Sequence, residues 1–109
     1  MKRLLYVDDD PCMLRATARA LKPFGWEVVP KAFPKATPTE LLNVSCVLTD
    51  WQPHGPAAVA MAEAAGLPVV VYTGAPDSVP DTLLLVVKGG TTAVLDDVLC
   101  TAVARRGGR

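Results

Sequence analysis

Apolar residues gather in short unbroken runs along this chain: Leu4 to Val7, Trp26 to Val29, Cys46 to Leu48, Val69 to Tyr72 and Leu83 to Val87. The runs mostly lack alternation with a period of two, which marks strands buried on both faces of a parallel sheet. Between them the spacing turns helical. Pro11 to Lys22 has Asp10 in the capping position, proline at the first helical position and Gly25 beyond its end. Leu14, Ala18 and Leu21 make its buried stripe, while Arg15, Arg19 and Lys22 repeat on another face that reads as solvated.

Thr37-Pro38-Thr39-Glu40 is a capping box, so a short helix is expected from Pro38 to about Asn43, after a rigid connector punctuated by Pro30, Pro34 and Pro38. Pro56 to Ala65, alanine-rich with Gly66 behind it, predicts another helix. Thr92 to Arg106 predicts the last, with Leu95, Val98, Leu99 and Ala102 on one stripe. Asp96 and Asp97 near its start and Arg105 and Arg106 at its end complement the helix dipole. Strand and helix thus alternate along the chain, which implies an α/β fold, a doubly wound five-stranded parallel sheet with its ligand site at the carboxyl ends of the strands. Gly74 to Thr82 holds two prolines and leaves hardly any room for a helix, so the fourth helix is expected to be short or absent.

At 109 residues, half of them apolar, the chain can bury one core, and residues 1–109 read as one domain ending in a basic tail over 105–109. Eleven basic residues balance eleven acidic ones, which removes the general attraction to phosphate that most nucleic-acid and membrane-surface binders use, so neither partner is expected. No apolar run approaches the roughly 20 residues of a membrane helix. Three aspartates cut off the apolar start after Val7, so no signal peptide is expected. Cys12, Cys46 and Cys100 are odd in number and lack CxxC spacing, and they read as small core residues in a reducing, cytoplasmic setting.

The chemistry collects at the strand ends. Asp8 and Asp9 follow the first strand, Asp50 ends the third, Thr73 the fourth and Lys88 the fifth. Two carboxylates about 4 Å apart repel by about 4 kcal/mol at an effective dielectric near 20, so three in one crevice beside a single lysine call for a cation. Hard oxygen ligands without a histidine or cysteine cluster point to magnesium or manganese. An aspartate beside such a metal can attack a phosphoryl donor, giving an acyl phosphate stabilised by the metal, an ammonium group and a hydroxyl donor.

The sequence here resembles the response-regulator receiver family, the CheY-like domains of flavodoxin-like fold. The match lies in Leu5-Tyr6-Val7-Asp8-Asp9-Asp10, Val47-Leu48-Thr49-Asp50-Trp51-Gln52-Pro53, Val71-Tyr72-Thr73-Gly74 and Val87-Lys88, and it spans essentially the whole chain. Each motif alone is weak; four in order, each at a strand end, are strong together. The resemblance implies Asp50 as phosphoacceptor. It implies metal binding by the side chains of Asp9 and Asp50, the backbone carbonyl of Gln52, and Asp8 through water. Thr73 would follow the phosphoryl group, Gly74 would leave it access, and Lys88 would pair with it. The implied partners are a histidine kinase or phosphotransfer protein as donor and an unidentified downstream protein, reached through a shift in conformational population. No enzymatic activity is implied beyond the domain's own phosphorylation and dephosphorylation.

Three departures from the family pattern stand out. Lys88 is followed by Gly89, where the family usually carries a cis proline; Pro53 and Gly55 come one residue early after Asp50; and Leu85 occupies the position, three before the lysine, where an aromatic switch residue is common. They keep open a degenerate receiver that binds partners without phosphorylation. A magnesium-dependent phosphohydrolase with an aspartate nucleophile is also open, since Leu5 to Asp10 reads as an apolar strand ending in Asp8-x-Asp10. His54, with no acid or cysteine partner in its loop, is expected to be exposed and to have no catalytic role; Trp51 either shields the site or packs on the surface, and Trp26 is a strand-edge core residue.

Overall fold

A computed structural model describes residues 2–32, 41, 43–52 and 54–107, with 106 and 107 described by backbone alone. Its strands are β1 (Arg3–Val7), β2 (Glu27–Lys31), β3 (Cys46–Thr49), β4 (Val69–Thr73) and β5 (Leu84–Val87), and its helices α1 (Pro11–Leu21), α2 (Gly55–Ala64) and α3 (Thr92–Gly107). All neighbouring strands are parallel, in the order β2-β1-β3-β4-β5. The chain therefore reverses its direction of winding between β1 and β3, and the crevice outside their carboxyl ends is where such sheets bind ligands.

The unbroken apolar runs reflect burial from both sides. Leu4 and Tyr6 pack with Leu14, Leu21, Leu48, Leu95 and Leu99 in the layer under α1 and α3. Leu5 and Val7 face the opposite layer, with Val47, Leu41 and Ala62 of α2. Successive strand residues point to opposite faces, and both faces are covered.

α1 starts where its cap directs: the Asp10 carboxylate accepts from the backbone N–H groups of Cys12 at 2.9 Å and Met13 at 3.4 Å. Leu14 and Leu21 are buried, Ala18 is half-buried, Thr17 joins the buried stripe, and Arg15, Arg19 and Lys22 are exposed. Trp26 is buried just ahead of β2, its Nε1–H donating to Asp96 Oδ1 at 2.8 Å, and Lys2 stands 3.7 Å from the same oxygen. Asp96 thus ties α3 to the start of the sheet in addition to facing the helix dipole. Between β4 and β5 the chain makes a single 3-10 turn, Pro76–Ser78, and Val79 fills the space under it against Val59 and Val71, so the fourth helix is absent as expected. The expected helix from Pro38 to Asn43, its capping box and most of the proline connector lie outside the described residues, except for Leu41 and Asn43.

The cysteines correct one expectation. Cys46 is buried and Cys100 half-buried, but Cys12 is exposed. It stands two residues before Leu14, about 200° around the helix from the buried stripe. Burial pushes the Cys46 thiol up to about 12. A disulfide reagent at pH 8 is expected to label one thiol rapidly in the native protein, to lose that fast phase in Cys12→Ser, and to reach Cys46 only on unfolding; rapid labelling of native Cys46 would contradict this packing.

Candidate functional site

Adjacent strand ends bring the carboxylates together. β1 and β3 pair so that Val7 lies beside Thr49, which sets Asp8 and Asp50 next to each other as the strands leave the sheet. The Asp50 N–H donates to the Val7 carbonyl at 3.1 Å, and the Thr49 hydroxyl donates to the Asp50 carbonyl at 2.8 Å. Asp8 and Asp50 are buried and Asp9 is exposed, and one carboxylate oxygen from each lies within 4.8 Å of the others.

The two buried aspartates differ in their surroundings. Asp8 is enclosed by donors: its Oδ1 accepts from the Asp10 N–H at 3.0 Å, and its Oδ2 accepts from the Tyr6 hydroxyl at 2.8 Å and the Lys88 ammonium at 3.1 Å. Burial alone would raise its pKa, but these donors outweigh it and hold the carboxyl below the ordinary value. Asp50 has an Oδ1 that is buried without a hydrogen-bond partner among the described residues. Burial, followed by the charges of Asp8 and Asp9, raises its pKa to about 7. A buried carboxylate oxygen left unpaired is costly, and three converging carboxylates offer a divalent ion the hard oxygen donors it prefers. The residues present fit a metal of the magnesium class.

Thr73 ends β4 and is buried. Its Oγ1 accepts the Ala75 N–H at 3.0 Å, which leaves the hydroxyl proton free to be donated into the crevice. Lys88 is anchored by its own N–H on the Thr73 carbonyl at 2.8 Å, and its ammonium lies 5.9 Å from the centre of the Tyr72 ring. Gly89 follows with φ 95°, a conformation closed to proline; the pairing with β4 and this turn place the lysine. Lys88 rests on Asp8, however, and not on Asp50. Gln52 lies in the turn two residues beyond Asp50 with its side chain exposed, Gly74 is exposed beside Thr73, and Pro53 lies outside the described residues.

One residue of the site escaped the sequence reading. Tyr6 looked like core filler in an aliphatic strand, yet it sits two before Asp8 and so on the same face, which was the available signal. Gly55 lies where α2 presses against the Asp50 backbone. His54 is half-buried at the start of α2 and has an interaction partner, against the expectation of exposure. Trp51 packs with Val59, Val71 and Val79 beside the site.

No family model and no curated protein matches the sequence. Solved structures do match it. A CheY-like response regulator receiver domain protein from Methanospirillum hungatei shares 21% identity over 99% of this chain and 98% of its own, with a TM-score of 0.73. A receiver domain protein from Clostridium thermocellum shares 20% over 98% of each chain, with a TM-score of 0.79. The N-terminal domain of a response regulator/sensory box/GGDEF three-domain protein from Carboxydothermus hydrogenoformans shares 20% over 98% of each, with a TM-score of 0.84. The fold is that of the CheY-like receiver domains, as the strand-end motifs indicated. Among the described residues, no helix is long and apolar enough to cross a membrane.

Proposed function

We propose that this chain is a receiver of the two-component signalling type that accepts a phosphoryl group on Asp50 from a histidine kinase or phosphotransfer protein. One observation carries the reading: the buried Asp50 Oδ1 has no hydrogen-bond partner among the described residues, in a crevice that it shares with two further carboxylates. Asp9, Asp50 and the Gln52 carbonyl would hold magnesium or manganese, with Asp8 reached through water. When bound, the ion neutralises the converging charge and draws the donor's phosphoryl oxygens to the site. Asp50 then forms the new O–P bond as the P–N bond of a donor phosphohistidine breaks, and the departing imidazole takes a proton from solvent. Thr73 has its hydroxyl proton available for a phosphoryl oxygen, and Lys88 moves from Asp8 to pair with the same group. The output is a shift in conformational population that regulates a downstream protein. The matched structures are described as response regulator receiver domains, and a cytoplasmic location suits that role.

The nucleophile assignment favours Asp50 over Asp8. An attacking oxygen needs a free lone pair and access, and Asp8 is 1% exposed with three donors upon it. That weighs against the phosphohydrolase. The degenerate interaction module draws support from Leu85 and the missing fourth helix, since the usual route from the site to the surface is altered.

Intact mass after incubation with acetyl phosphate and Mg2+ decides between them. The expected result is a gain of one phosphoryl group that disappears in Asp50→Asn and with a chelator. A folded wild-type protein that gains nothing would leave the interaction module as the surviving reading.

A further inference from the structure

Tyr6 is wholly buried in β1, and its ring fills the layer under α1 and α3. A phenylalanine would fill that layer equally well, so the hydroxyl needs its own explanation. It donates to Asp8 Oδ2 at 2.8 Å, the oxygen on which Lys88 rests at 3.1 Å. Thr17 of α1, also buried, lies close to the Tyr6 hydroxyl. The Tyr6 and Tyr72 rings stand 6.2 Å apart, and Tyr72 in turn faces the Lys88 ammonium. Tyrosine, aspartate and lysine thus form one linked unit in which a neutral and a charged donor share a single carboxylate oxygen.

The geometry points to Tyr6 as a positioning residue for phosphoryl transfer: its hydroxyl keeps Asp8 Oδ2 oriented and hydrogen-bonded when Lys88 leaves that oxygen for the incoming phosphoryl group. This rests on the receiver reading above. A buried carboxylate oxygen stripped of its last donor is strongly disfavoured. With Tyr6 in place, Lys88 departs and each Asp8 oxygen keeps a donor, Tyr6 on Oδ2 and the Asp10 N–H on Oδ1. Without the hydroxyl, Lys88 is the only donor on Oδ2 among the described residues and is held there, away from Asp50.

Tyr6→Phe keeps the ring and removes only the hydroxyl. It is compared with Lys88→Ala and the double variant, each measured in two ways: the rate of mass gain from acetyl phosphate at saturating Mg2+, and the Mg2+ dissociation constant from tryptophan fluorescence. Tyr6→Phe is expected to slow phosphorylation about tenfold in the presence of Lys88 and by less than about twofold in Lys88→Ala, with the Mg2+ constant unchanged within about twofold. A residue that merely packed the core would slow both backgrounds equally or weaken Mg2+ binding in parallel, and either result overturns the proposal. So does an unchanged rate in Tyr6→Phe. If the wild type itself takes up no phosphoryl group, this inference and the receiver reading fall together; if the wild type takes it up and Tyr6→Phe does so as quickly, this inference alone falls.

Discussion

Asp50→Asn is expected to stabilise the metal-free protein at pH 7.5 by about 2 kcal/mol, and to remove most of the gain in stability that Mg2+ gives the wild type. Asp50 has a pKa of about 7 in the folded chain against 3.8 ordinarily, through burial and then the charges of Asp8 and Asp9. At about 1.4 kcal/mol per pH unit, that difference sets a ceiling of about 4 kcal/mol, and the buried asparagine amide retains part of the cost. The sign follows from proton counts. Between pH 4 and 7 the folded state keeps a proton that the unfolded chain has already lost, so the Asp50 contribution falls as pH rises through that window. Asp8 works in the opposite direction: its pKa is lowered on folding, so its contribution is present above the unfolded value and is lost as acid protonates it. Denaturant melts from pH 4.5 to 8, with and without Mg2+, read both effects. The wild type should lose stability towards neutral pH unless Mg2+ is present, while Asp50→Asn should stay nearly level. A variant less stable than wild type in the absence of metal would mean that Asp50 has partners that the carboxylate crevice does not show.

The parts of this protein that were legible in the sequence are those fixed by chain direction. Five apolar runs joined by helices leave few arrangements for a parallel sheet, and every strand then ends on the same edge; that is why Asp8, Asp9, Asp50, Thr73 and Lys88 were placed together without knowledge of any contact. The prolines at 76 and 80 forbade a helix before β5 for reasons local to the backbone. Pairing within the site was not legible, because it depends on rotamers and on which oxygen faces which donor. Lys88 was expected beside a phosphoryl group and rests on Asp8, the better-ionised carboxylate. Tyr6 was hidden by its own fitness as a core residue. Cys12 was misjudged because a small apolar residue in a helix carries little information about its face until the stripe is counted residue by residue.

Gly55→Ala is expected to destabilise the protein by about 2–3 kcal/mol and to weaken Mg2+ binding as well, the second effect separating it from an ordinary packing defect. A Cβ at Gly55 would lie 2.5 Å from the Asp50 carbonyl oxygen and 2.8 Å from Trp51 Cε3. The first of these is backbone and cannot swing aside. The turn is already closed by the Gly55 N–H on the Trp51 carbonyl at 2.8 Å, and the Asp50 carbonyl is held by the Thr49 hydroxyl. Relief must come from moving the start of α2 or the Asp50 peptide, and the latter carries the carboxylate with it. The early arrival of this glycine is therefore what lets a shortened loop pass the site without displacing the aspartate. Leu99→Ala provides the comparison: it opens a cavity under α3 at a similar or larger cost in stability, but it lies in the core away from the crevice. Under conditions where both variants are folded, Leu99→Ala should bind Mg2+ as the wild type does, and Gly55→Ala should bind it several-fold more weakly. Equal Mg2+ affinity in the two variants would show that the turn yields at Trp51 and the helix instead, and that the position of Asp50 does not depend on the glycine.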